Sequence, residues 1–111
     1  MSRRESELLI SDILDSANKI IEYTADLDFE EFCTDNKTFD AVIRNFEIIG
    51  EASIRLPGGF KQSHPQIDWK SIRGFRNRIV HDYMGIDAEI IWDIKNNFLP
   101  ELISKIKQIV F

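Results

Sequence analysis

Thr38-Phe39-Asp40-Ala41-Val42-Ile43-Arg44-Asn45-Phe46-Glu47-Ile48-Ile49-Gly50-Glu51-Ala52-Ser53 is the stretch that decides the fold. Phe39, Val42, Ile43, Phe46, Ile49, Gly50 and Ser53 recur at steps of three and four, the period of one helix face. Alternating spacing, the mark of a half-buried strand, is absent from it. Asn36 or Thr38 is the expected N-cap, because a short oxygen-bearing side chain can accept from the free N–H groups of a first turn. Gly50, Ala52 and Ser53 are small and leave room for a second helix to approach closely. Leu56-Pro57-Gly58-Gly59 ends the helix.

Upstream, Leu9, Ile13, Ala17, Ile20 and Ile21 give a helical stripe from about Glu5 to Thr24, with Asp12, Asp15 and Lys19 between them. Phe29-Glu30-Glu31-Phe32 reads as one short turn of helix. Downstream, residues 57–67 read as a loop containing Gly58, Gly59 and Pro65. Asp68 caps a third helix carrying Trp69, Ile72, Phe75, Ile79 and Val80, which Gly85 stops. Asp87 caps a fourth, with Ile90, Ile91, Ile94, Phe98, Leu102, Ile106 and Ile109 on one stripe. Pro100 lies inside that pattern and predicts a kink near Asn97 to Leu99, since proline lacks the donor and clashes with the preceding turn. There is no internal repeat and no low-complexity tract. The expected fold is all-α, an up-down bundle of four main helices, as a single domain over residues 1–111.

At 111 residues the chain is long enough for one core and too short for two. A hydrophobic content of 43% beside 30% charged residues is that of an ordinary globular protein. Apolar runs such as Ile90-Ile91-Trp92 fall far short of the roughly 18 residues that span a membrane. Met1-Ser2-Arg3-Arg4-Glu5 leads straight into an amphipathic pattern, with no apolar leader. Cys33 stands alone and cannot form an internal disulfide, so a reducing, cytoplasmic setting is expected. The net charge of −5 argues against a general nucleic-acid coat. Its distribution is uneven, however. From Lys70 to His81 there are four cations (Lys70, Arg73, Arg76, Arg78) and no acid, whereas Asp26, Asp28, Glu30, Glu31 and Asp35 crowd another segment.

That basic segment holds the chemistry. Arg76-Asn77-Arg78-Ile79-Val80-His81-Asp82-Tyr83 spaces one Arg, one His and one Tyr as Arg-x4-His-x-Tyr at the end of a helix. A guanidinium is a permanent charge with a planar fork of donors suited to phosphate. An imidazole, with an unperturbed pKa of about 6.5, can give and take a proton near neutrality. On an ideal helix Arg76 and Tyr83 share a face, and Asn77 and His81 share the adjacent one. Arg76 also borders the apolar stripe through Ile72 and Ile79, so it is expected to be partly buried and to need a partner. Glu47 and Glu51, one turn apart on the second helix, are the candidate partners.

The plain structural alternative is that His81 caps a helix C-terminus and Tyr83 packs nearby. His64, in a loop before Pro65, reads as structural. Cys33 has no basic neighbour to activate it and reads as a small hydrophobe. Trp69 and Trp92 read as core or interface anchors. Two His and one Cys lack the spacing of a metal site. No glycine-rich segment opens a helix to cradle phosphates. No metal and no cofactor are expected.

Arg76-x4-His81-x-Tyr83 resembles the Rx4-6HxY motif of HEPN-domain proteins, specifically the HepT-like group. Arg44-Asn45-Phe46-Glu47-Ile48-Ile49-Gly50-Glu51-Ala52 is similar to that group's second-helix segment. Trp69 before the motif and Ile90-Ile91-Trp92 after it are similar too. The likeness covers nearly the whole chain, and three matches in the right order are far more specific than the motif alone. The resemblance implies an α-helical, homodimeric toxin of a type II toxin–antitoxin pair, a metal-independent endoribonuclease with the motif at the dimer cleft. It further implies an MntA-like nucleotidyltransferase antitoxin that silences the toxin by transferring AMP to the motif tyrosine. By position, Arg76 and His81 are then the catalytic pair and Tyr83 the AMPylation site. Asn77 matches the polar residue that often follows the motif Arg, and Glu47 and Glu51 are supporting residues. Some HEPN domains serve only as binding modules, so the alternative is a non-catalytic bundle that docks a nucleotidyltransferase and presents Tyr83.

Overall fold

The computed structural model describes residues 3–82 and 85–111. Among these residues there are seven helices and no strand: α1 (Arg3–Thr24), α2 (Phe29–Thr34), α3 (Asn36–Arg55), α4 (Gly58–Ser63), α5 (Trp69–His81), α6 (Ala88–Asn97) and α7 (Leu99–Lys107). The all-α bundle read from apolar spacing is the fold observed. Its four long members are α1, α3, α5 and the α6–α7 pair.

Helix α3 is the hub. It packs against α1, α5 and α2; α1 also meets α7, and α6 meets α2 and α7. The core comes from the stripes the sequence shows, with Ile13, Ala17 and Ile20 of α1, Val42, Phe46 and Ile49 of α3, Ile72 of α5 and Leu99 of α7 all fully buried. Removing this apolar surface from water is the main favourable term in folding.

Aromatic rings mark the seams. Phe32 of α2 lies 5.5 Å from Phe39 and 5.0 Å from Trp92, so the short helix wedges between α3 and α6. Phe75 meets Phe46 edge-on at 5.2 Å and Phe98 at 5.9 Å, tying α5 to α3 and to the α6–α7 junction.

The structure corrects several boundaries. The N-cap of α3 is Asp35, not Asn36 or Thr38. Its carboxylate accepts from the Thr38 backbone N–H at 3.0 Å and from the Thr38 hydroxyl at 2.7 Å, so Thr38 is a donor to the cap. Those two bonds hold the Asp35 carboxyl below its ordinary pKa.

Residues 58–63, expected as loop, form α4. Lys61 Nζ donates to the Ser53 carbonyl near the end of α3 at 3.0 Å, and the Trp69 indole N–H donates to the Lys61 and His64 carbonyls. These ties from outside the segment hold a six-residue helix that opens with two glycines. His64 bonds the Phe60 carbonyl through Nδ1 at 2.8 Å and stacks on the Phe60 ring. Trp69 and Trp92 are anchors, as expected. Cys33, read as a small hydrophobe, is exposed.

Helix α5 ends earlier than the Gly85 stop implies. Asp82 is its C-cap, its N–H bonding the Arg78 carbonyl, and the Gly85 N–H donates to the Asp82 carbonyl. The kink at Pro100 is a full break. Phe98 is both the C-cap of α6 and the N-cap of α7, and Pro100 falls in the first turn of α7, where a missing N–H costs nothing.

Candidate active site

The site is built on α5. Asp68 starts this helix by accepting from the Ser71 N–H at 3.0 Å and the Ser71 hydroxyl at 2.6 Å. Both bonds favour the ionised form and lower the Asp68 pKa. Ile72, Phe75 and Ile79 bury the inner face against α3. The outer positions are exposed and basic at Lys70, Arg73 and Arg78. His81 is the last helical residue and is exposed. Arg78 reaches Asp82 at 4.0 Å, a surface pair worth little.

Arg76 lies at the boundary between these faces and is half-buried, as its place beside the apolar stripe predicts. What it touches is unexpected. A Cβ built on Gly50 of α3 would fall 2.5 Å from Arg76 Cβ and closer still to its Cγ. The aliphatic stem of Arg76 therefore lies directly on the bare backbone of Gly50.

The expected ion pair is not formed. No ion pair within 4.0 Å joins Arg76 to Glu47 or Glu51. Glu51 faces Arg44 instead, at 3.7 Å, while Glu47 is half-buried on α3. Among the described residues the guanidinium makes one hydrogen bond, a long one from Nη1 to Asn77 Oδ1 at 3.4 Å. Arg76 Nε is buried and has no hydrogen-bond partner. A buried unpaired donor of this kind costs about 1–3 kcal/mol.

The structure thus brings Arg76 and Asn77 into contact, with His81 at the end of the same helix. It leaves Glu47 and Glu51 apart from the guanidinium. Tyr83 lies outside the described residues, as does the expectation that it shares a face with Arg76. Among the described residues no group of three or more His, Cys, Asp or Glu side chains could hold a metal ion. None of their helices is long and apolar enough to cross a membrane. Gly50 is the site residue whose role sequence reasoning left incomplete. Its small size announces a close approach, but only the packed structure shows that the approaching group is the motif arginine.

The class is that of an all-helical bundle whose basic helix α5 carries the half-buried Arg76 and ends in His81. The family comparison sharpens it. Residues 13–109 match the model described as "Ribonuclease HepT-like". A Methanocaldococcus jannaschii protein named "putative RNase" is 42% identical over 99% of this chain and 91% of its own length. The "probable ribonuclease HepT" of Thermococcus cleftensis is 36% identical over 96% of this chain and 97% of its own. The chain belongs to the HepT-like ribonuclease family. No solved structure matches it.

Proposed function

We propose that this protein is a metal-independent endoribonuclease, the toxin of a type II toxin–antitoxin pair. The observation that carries the reading is the state of Arg76. Its charge is fixed from behind by packing, paired with no acid among the described residues, and flanked by the exposed cations of α5. Such a group suits an oxyanion arriving from outside.

RNA brings its own nucleophile, the 2′-hydroxyl. His81 removes that proton, and the 2′ oxygen attacks the adjacent phosphorus. The bond to the 5′ oxygen breaks, leaving a 2′,3′-cyclic phosphate and a 5′-hydroxyl that has taken up a proton. Arg76 stabilises the charge that grows on the phosphoryl oxygens. One imidazole is a poor choice for both base and acid within a single turnover. A two-fold dimer solves this by bringing two copies of His81 to one cleft. Val80 and Ile54 support such a pairing: they are 49% and 48% exposed, and each lies one turn from Arg76 or Gly50 on its own helix. The partner in regulation is an MntA-like nucleotidyltransferase that transfers AMP to Tyr83. The modification adds bulk and negative charge two residues along the chain from His81.

The test is incubation of purified protein with total RNA in EDTA, beside His81→Ala. Cleavage by the native protein is expected to leave cyclic-phosphate ends and to fall by ~10²–10⁴ in the variant. Undiminished cutting by His81→Ala removes the catalytic role. No cutting by either, together with AMP transfer to Tyr83 by the partner, establishes the binding-module alternative.

A further inference from the structure

We infer that Gly50 is a positioning residue for catalysis: the bare backbone of α3 at this point is the seat that fixes the direction of the Arg76 guanidinium. The inference rests on the ribonuclease reading of Arg76.

Three observations carry it. Gly50 lies in the interior of α3, fully helical and buried, where no positive φ calls for glycine. A glycine in such a position weakens a helix relative to alanine, so its presence needs another reason. That reason is space. The added carbon would collide with Cβ and Cγ of Arg76, the stiff base of the side chain, with the Arg76 Cα only 3.7 Å away. Rotating the flexible far end cannot relieve this; the stem must swing or α5 must lift. The Phe46–Phe75 ring contact resists lifting, since these residues precede Gly50 by one turn and Arg76 by one position. The third observation is that polar contacts do little to aim the guanidinium. Nε has no partner, and Nη1 makes only the long bond to Asn77. Packing on Gly50 is the chief constraint left.

The geometry at the other glycines supplies a control. Gly74 stands on the same helix as Arg76, and a Cβ there meets nothing within 4 Å.

The test is a set of purified variants assayed on one defined RNA. Gly50→Ala is expected to lower kcat at least tenfold with KM changed less than threefold, because a swung guanidinium fails in the transition state more than in binding. Gly74→Ala is expected to keep native kcat. The melting temperature gives a second readout that survives a poorly folding single variant. Gly50→Ala lowers it in the native background and raises it in an Arg76→Gly background, where the stem is gone and only the helix preference of alanine remains. Native kcat in Gly50→Ala, or a melting temperature lowered equally in both backgrounds, overturns the inference. Native kcat in Arg76→Ala instead overturns the reading of Arg76 itself, so the two failures are distinguishable.

Discussion

Arg76 is a charge with no counter-ion among the described residues, held by its hydrocarbon stem. Arginine at such a site is not replaceable by its nearest relative. Lysine keeps the charge and much of the stem but lacks the planar fork that grips two phosphoryl oxygens at once. Arg76→Ala is expected to lower kcat by ~10²–10³, the usual cost of removing one preorganised donor to a developing oxyanion. Arg76→Lys should recover only part of that loss. Single-turnover cleavage of a defined RNA measures both, and full activity of the lysine variant would show that a point charge suffices. At this scale the sequence was partly legible. The Arg-x4-His-x-Tyr spacing named the residues, and the flanking Ile72 and Ile79 foretold that Arg76 would be half-buried. The absent pairing with Glu47 or Glu51 was not legible. Spacing along one helix says which residues share a face, but rotamers across a helix–helix seam depend on packing, and here Glu51 turns to Arg44.

At the scale of the element, α5 depends on its first residue pair. Asp68 satisfies the N–H of Ser71 and bonds its hydroxyl. Loss of such a cap costs ~0.5–2 kcal/mol, so Asp68→Ala should lower the melting temperature by several degrees. The same bonds make the cap sensitive to acid. The pKa of Asp68 is depressed in the folded protein, so its stabilising contribution is fully present above the ordinary aspartate value of about 3.9 and is lost as pH falls through the folded value. The melting temperatures of native protein and Asp68→Ala should therefore differ at pH 7 and converge in acid, once pH falls below the depressed folded value; a gap that persists in strong acid would show that the carboxylate is not the source. Caps of this kind were legible at Asp68 and Asp87, where an acid stands directly before an apolar stripe. The cap at Asp35 was hidden because it also ends α2, and the two helices share that residue. Helix α4 was hidden for a different reason. Gly58 and Gly59 are stop signals locally, and the segment is helical because Lys61 and Trp69 tie it to α3 and α5.

Across the whole molecule, charge is arranged against its own sum. The chain carries a net charge of −5, yet Lys70, Arg73 and Arg78 stand exposed on one helix beside Arg76. Phosphate contacts made by such a helix release counterions, so RNA affinity should fall steeply with salt. Arg73, one turn before Arg76, is the residue to test. Arg73→Ala should weaken binding to unrelated RNAs to a similar degree and reduce the slope of log K against log salt by about 0.7. An unchanged slope, measured by fluorescence anisotropy across a salt series, would take this helix out of the RNA-contacting surface. The bundle itself was the most legible level of all. Apolar stripes at helical spacing gave α1, α3, α5 and the final pair, and their burial follows from water's exclusion of the same residues. The proline in the last stripe announced a disturbance, and the structure resolves it as two helices meeting at Phe98.

Helix α5 separates two duties by face. Ile72, Phe75 and Ile79 face inward and carry the packing, while Lys70 and Arg73 face outward and are exposed. Substitution of Lys70 or Arg73 should therefore change how tightly RNA is held, whatever its sequence, and leave the packing of α5 on α3 intact. The charge of this face and the scaffold beneath it can thus be altered one without the other.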